Sequence, residues 1–75
     1  MDQPALRERV LRLLISGELP KTVPDWCLGG PGSGRDCQVC LESIATSALE
    51  VEVDNLAFHP NCYLLWVEAV RGLAS

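Results

Sequence analysis

Apolar and polar residues follow two rhythms along this chain. From residue 4 to about 16, Leu6, Val10, Leu13 and Leu14 recur three and four apart, the spacing of one helix face. Leu11 and Ile15 widen that stripe to about half the circumference, and Glu8, Arg9, Arg12 and Ser16 fall on the other side. Pro4 suits an opening turn with Asp2 or Gln3 at the cap, Gly17 suits a stop, and Pro20 cannot continue the helix. Such a face either packs on the rest of the domain or docks on another protein. Further on the rhythm shortens to two. Leu49, Val51 and Val53 alternate with Glu50, Glu52 and Asp54, which predicts a half-buried strand with an acidic outer face. Asp54-Asn55 is a turn signal, and Leu56-Ala57-Phe58 returns as a second strand. The helical rhythm resumes at His59-Pro60. Cys62, Leu65, Trp66, Ala69, Val70 and Leu73 share one face, with Tyr63 on its flank, and Gly72 reads as the stop. Glu68, Arg71 and Leu64 fall on the solvent side.

Residues 18–36 break both rhythms. Pro20, Pro24 and Pro31 punctuate it together with Gly29, Gly30, Gly32 and Gly34, which predicts an irregular connector. Trp26 is expected to anchor it against the core, and Cys27 to be a small buried or half-buried side chain. Gly29 and Gly34 have the spacing of a phosphate-binding loop, but Arg35 and Asp36 stand where that loop needs Lys and Ser or Thr. The stretch therefore reads as a flexible loop, or one that binds a partner's backbone.

The chemistry lies in Cys37, Cys40, His59 and Cys62: Cys-x2-Cys, eighteen residues, then His-x2-Cys. Three thiolates and an imidazole make a four-ligand set for tetrahedral Zn²⁺. A tight turn lets Cys37 and Cys40 aim at one ion, and an opening helical turn puts His59 and Cys62 on one side. Disulfides would leave His59 unexplained, and no secretory signal is visible. A redox Cys-x-x-Cys pair sits at the start of a helix after a strand, whereas this one follows glycines. Glu50 and Glu52 could form a catalytic carboxylate pair, but alternate acids on an exposed strand face are ordinarily just solvated.

Composition narrows the reading. The chain has 75 residues, so it is expected to form one domain that needs a metal staple as well as a core. Its formal charge is −4, and a three-thiolate zinc site would add about −1 more, which disfavours a phosphate-backbone partner. The run Val10 to Ile15 is too short to span a bilayer and contains Arg12. A cytoplasmic protein is expected, where free thiolates persist.

The order zinc turn, hairpin, then ligand-bearing helix resembles a treble-clef zinc finger. The span Cys37 to Cys62, with Phe58 before His59, is also similar to the first zinc module of a LIM domain; no further Cys-x2-Cys follows Cys62. Leu19-Pro20, Gly29 to Arg35, Cys37/Cys40, and Phe58-His59 to Cys62 with Trp66 resemble a group of short uncharacterised bacterial proteins with a GGPGSGR-like loop. That resemblance implies zinc binding and no known activity.

The expected fold is thus a small zinc-stabilised α+β domain over 1–75: a helix at 4–16, a connector at 18–36 and a zinc module at 37–73. One Zn²⁺ per chain on Cys37, Cys40, His59 and Cys62 would be structural, since four protein ligands leave no open position for catalysis. The expected function is a small protein-interaction or regulatory module, monomeric or weakly dimeric, with no membrane or nucleic-acid partner. A nucleic-acid finger is the alternative, resting only on Arg7, Arg9 and Arg12 in the first helix. A zinc deaminase places its ligands in the opposite order and needs a neighbouring base, so an enzyme fits less well.

Overall fold

The computed structural model describes residues 2–74. Helix α1 runs Gln3–Ser16. The Asp2 carboxylate caps it by accepting the Ala5 N–H at 3.0 Å, and Pro4 sits in the first turn, where its missing N–H costs nothing. Gly17 ends it in the left-handed region at φ 84°, and its N–H returns to the Leu14 carbonyl. The Leu19 N–H then donates to the Leu13 carbonyl at 3.1 Å, which folds Leu19 into the core. Leu6, Val10, Leu13 and Leu14 are buried, whereas Leu11 and Ile15 stay exposed. The buried stripe is therefore narrower than the apolar arc.

Three antiparallel strands follow in the order β1 (Leu28–Pro31), β2 (Leu49–Val53) and β3 (Leu56–Phe58). The turn Asp54-Asn55 joins β2 to β3 with both residues at positive φ, the geometry that matches the right-handed twist of a two-residue hairpin. Strand β1 lies inside the stretch read as irregular connector. Its Leu-Gly-Gly-Pro sequence has no strand pattern of its own; pairing with β2 makes it a strand. The Gly32 N–H donates to the Ala48 carbonyl, so the register turns the backbone groups of Gly29 and Pro31 away from β2. Pro31 thus sits where its missing N–H breaks no ladder bond.

Helix α2 runs Pro60–Ala74 and passes through Gly72, which is no stop. A glycine weakens a helix but ends it only where the chain turns left-handed, and Gly72 does not. Leu65 and Trp66 are buried against the sheet and α1, while Leu73 is exposed beyond the core. Trp66 stacks on Phe58 with centroids 5.0 Å apart, and Tyr63 meets both rings edge-on. The Trp66 indole N–H donates to the Pro20 carbonyl at 2.9 Å. Trp66 therefore does the anchoring assigned to Trp26, which is 55% exposed. Cys27 beside it is exposed as well, not half-buried. No helix among the described residues is long and apolar enough to cross a membrane.

The glycine-rich stretch is laced down. Gly32 is buried so closely against the 44–45 backbone that a Cβ there would lie 1.9 Å from the Ala45 oxygen. The Gly34 N–H donates to the Ile44 carbonyl from a φ of 82°. Arg35 donates to the Glu52 carboxylate at 3.0 Å and to the Asn55 carbonyl. These bonds hold the loop on the hairpin and root the Cys37–Cys40 turn that follows it.

Candidate metal centre

The turn carrying Cys37 and Cys40 is a narrow hairpin. Asp36 bridges Ser43, and the Cys37 N–H donates to the Glu42 carbonyl at 2.9 Å. At its tip the Leu41 N–H returns to the Cys37 carbonyl, and Leu41 takes a φ of 65° to do so. The Val39 N–H points at the Cys37 Sγ, 3.4 Å away. Backbone donors thus face the sulfur before any ion is considered.

Two bonds bring this turn to the second ligand pair. The Gln38 N–H donates to the Ala57 carbonyl at 2.8 Å, docking the turn on β3. Arg9 reaches across from α1 and donates its Nε–H to the Val39 carbonyl. Strand β3 ends at Phe58, so His59 emerges beside Cys40, with its Nδ1 3.3 Å from the Cys40 Sγ. The first turn of α2 follows: the Tyr63 N–H donates to the His59 carbonyl, and Cys62 comes round to the same side.

The ligand atoms of Cys37, Cys40, His59 and Cys62 all lie within 4.8 Å of one another. The structure thereby gathers all four residues singled out by their spacing. Cys37 and Cys62 are buried, and Cys40 and His59 are half-buried. The crowding of the sulfurs pulls their protonation apart. A hydrogen bond from the Cys62 thiol draws the Cys37 thiol down to about 4, helped by backbone donors at Cys40, His59 and Val39 and opposed by burial. The same bond pushes the Cys62 thiol upward, reinforced by burial and the neighbouring Cys37 charge. Burial, first, and the Cys37 charge also raise Cys40. Three sulfurs this close cannot all ionise without a cation among them. Three soft sulfurs and an imidazole, with no oxygen donor, fit a metal ion of the zinc type rather than calcium or magnesium.

The other candidates resolve differently. Glu50 is not solvated: it is buried, and its carboxylate accepts the Ser33 hydroxyl at 2.8 Å and the Ser33 N–H at 3.1 Å. Leu49 is exposed, so the simple in-and-out alternation of β2 fails at its first residues. Glu50 is covered by the laced glycine loop, whose Ser33 lies on the face that alternation alone would leave to water. Glu52 is held by Arg35 instead of standing free with Glu50 as a catalytic pair. The Gly29–Arg35 stretch begins inside β1 and runs on to the Cys37–Cys40 turn, not from a strand into a helix, so it has no phosphate-loop geometry.

Arg9 is a positioning residue that the sequence placed among solvent-facing charges. Its signal was weak: at the margin of the apolar stripe, a long side chain can reach past the helix to a carbonyl. With Arg9 engaged on Val39, the basic cluster on α1 reduces to the exposed Arg7 and Arg12. Compared with known proteins, the chain matches no protein family, no curated protein and no solved structure.

Proposed function

We propose that this chain is a structural zinc domain of the treble-clef kind, and that it serves as a small cytoplasmic protein-interaction module and not as an enzyme. Cys37, Cys40, His59 and Cys62 hold one Zn²⁺. The single observation that carries the reading is the convergence of three sulfurs and one imidazole nitrogen within 4.8 Å, from a tight turn and a helix start. The β2–β3 hairpin lying between those two elements in the chain supports the treble-clef reading. A full set of four protein ligands gives zinc a folding role, because no coordination position remains for water or substrate.

The interaction role is supported by apolar side chains that the fold leaves outside. Leu11, Ile15 and Leu73 surround one open hollow between α1 and α2, with Ile15 83% exposed. The formal charge of −4 and the engagement of Arg9 speak against a nucleic-acid partner.

Elemental analysis of chain purified without added metal tests the zinc reading. Zinc near one equivalent is expected, and Cys27→Ser leaves it unchanged. A folded chain holding less than about a tenth of an equivalent refutes the four-ligand assignment, since structural sites bind with ~10 kcal/mol or more.

A further inference from the structure

We propose that Cys40 is an oxidant-sensitive modification site through which a small uncharged hydroperoxide releases the metal. The inference rests on the zinc reading above and adds which sulfur is attacked and from which side.

The cluster is shielded unevenly. Cys37 is fully enclosed, and Cys62 is only 3% exposed at the start of α2. Cys40 is half-buried at the tip side of the turn. It lies on the wall of an open hollow of about 220 Å³, shared with Leu6, Glu42, His59, Asn61 and Cys62. A reagent reaching the centre through that hollow meets His59 and two sulfurs, of which the half-buried Cys40 is open to attack and Cys62 is almost wholly enclosed. The exposed Glu42 carboxylate at the rim disfavours anionic reagents and leaves neutral ones unhindered.

The chemistry balances with the peroxide as the named oxidant. The Cys40 sulfur attacks the peroxide, an S–O bond forms, the O–O bond breaks, and the departing oxygen leaves as hydroxide that takes up a proton. Cys40 is now a sulfenic acid and no longer a thiolate ligand. The Cys37 thiolate, three residues away in the same turn and within 4.8 Å, attacks that sulfur. An S–S bond forms, the S–O bond breaks, and a second hydroxide leaves and is protonated. Two thiolates, one peroxide and two protons from solvent thus yield a disulfide and two waters, and an ion left with two ligands departs.

The test uses the Cys27→Ser chain loaded with zinc, a change that removes the exposed thiol outside the cluster. Limiting hydrogen peroxide is added with dimedone to trap sulfenic acid, and released zinc is followed by a colorimetric chelator. Peptide mass spectrometry is expected to place the dimedone label on Cys40 with at least ~10-fold preference over Cys37 and Cys62, following accessibility. Without dimedone, one equivalent of zinc is lost as a Cys37–Cys40 disulfide accumulates. First labelling of Cys37 or Cys62, a bridge from Cys40 to Cys62, or zinc loss with Cys40 unlabelled overturns the proposal. The zinc content before oxidant keeps the two readings apart. A chain that never holds zinc refutes the zinc site, whereas a loaded chain with the wrong labelling refutes only this inference.

Discussion

The thiol cluster and the carboxylates of β2 both concentrate negative charge, and the fold treats them in opposite ways. Glu50 and Glu52 are satisfied from within the chain, Glu50 by the hydroxyl and N–H of Ser33 and Glu52 by the Arg35 guanidinium. Cys37, Cys40 and Cys62 are not: without a cation they share protons, with Cys37 drawn down and Cys62 pushed up by one hydrogen bond between them. A buried charge needs a partner, and for the thiols no cationic side chain of the described residues supplies one. The lesson is that acidic side chains on this sheet are paired from within the chain, while the thiols are gathered so that they could bind a metal ion.

The largest expected effect separates the two directly. Chelating the metal, or changing Cys62→Ser, should remove ~10 kcal/mol or more, comparable with the whole stability of a small domain. Circular dichroism should show helix and sheet lost together on chelation and regained on adding zinc. Glu50→Gln, by contrast, should leave zinc bound and the spectrum folded. A metal-free chain that keeps an unchanged melt would erase the distinction, because the thiol end would then be as self-sufficient as the carboxylate end.

The second effect is a loss that involves no ligand. Gly32 lets the glycine loop lie on the backbone of residues 44–45, and Gly32→Ala would drive a Cβ to 1.9 Å from the Ala45 carbonyl oxygen. Two backbones cannot rotate apart as side chains do, so the cost should be at least ~1–3 kcal/mol, the range for overpacking. Gly30→Ala meets open space and should cost much less, which makes it the control in urea melts of the zinc-loaded chain. Equal costs at the two positions would mean that the loop does not lie where the carboxylate network needs it.

What the sequence made legible divides along the same line. Periodicity found α1, the β2–β3 hairpin and α2, because their patterns are local. Spacing singled out the four residues that the structure gathers, because two ligands in one turn and two on one helical turn are also local geometry. Strand β1 was hidden because Leu28–Pro31 becomes a strand only by pairing with β2, about twenty residues later. Glu50 was read as solvated for the same reason: its cover, Ser33, is seventeen residues away. Trp66 as the anchor of the connector was likewise hidden, because the Pro20 carbonyl that accepts its indole N–H lies in a distant part of the chain. Arg9 was misplaced because its acceptor, Val39, is thirty residues distant. Patterns within one element were readable, and partners between elements were not.

A third prediction brings the comparison down to the backbone of the metal turn. Leu41 closes the Cys37–Cys40 turn at φ 65°, a region that costs a non-glycine residue ~1–2 kcal/mol. Its side chain is 59% exposed, so little apolar burial offsets that strain. Leu41→Gly relieves it and incurs the ~0.5–1 kcal/mol entropy penalty of glycine in the unfolded chain, so a net gain of up to ~1 kcal/mol is expected. Thermal melts with zinc present should show a higher midpoint. A lower one would mean that Leu41 contributes packing beyond what its exposure allows.

The smallest effect lies at the carboxylate end and is read as a coupling, not as a single loss. The Ser33 hydroxyl, then the Ser33 N–H and the Arg35 charge, hold the Glu50 carboxyl below its usual value of 4.5 against the opposing effect of burial. A carboxyl depressed in the folded state contributes stability above its unfolded value and loses it as pH falls through the folded one. The contribution is therefore complete at neutral pH and fades in acid below about 4.5. Ser33→Ala removes the largest of the depressing interactions and leaves the backbone donor in place, so the loss should be partial and smaller than any of those above. In a Glu50→Gln background no charge remains to be held, and Ser33→Ala should cost less still. A double-mutant cycle in urea at neutral pH isolates that difference from any general effect of removing a hydroxyl. A coupling indistinguishable from zero would show that Glu50 is covered by the loop without being held by it. The carboxylates of β2 would then lose their standing as a self-satisfied counterpart to the thiols.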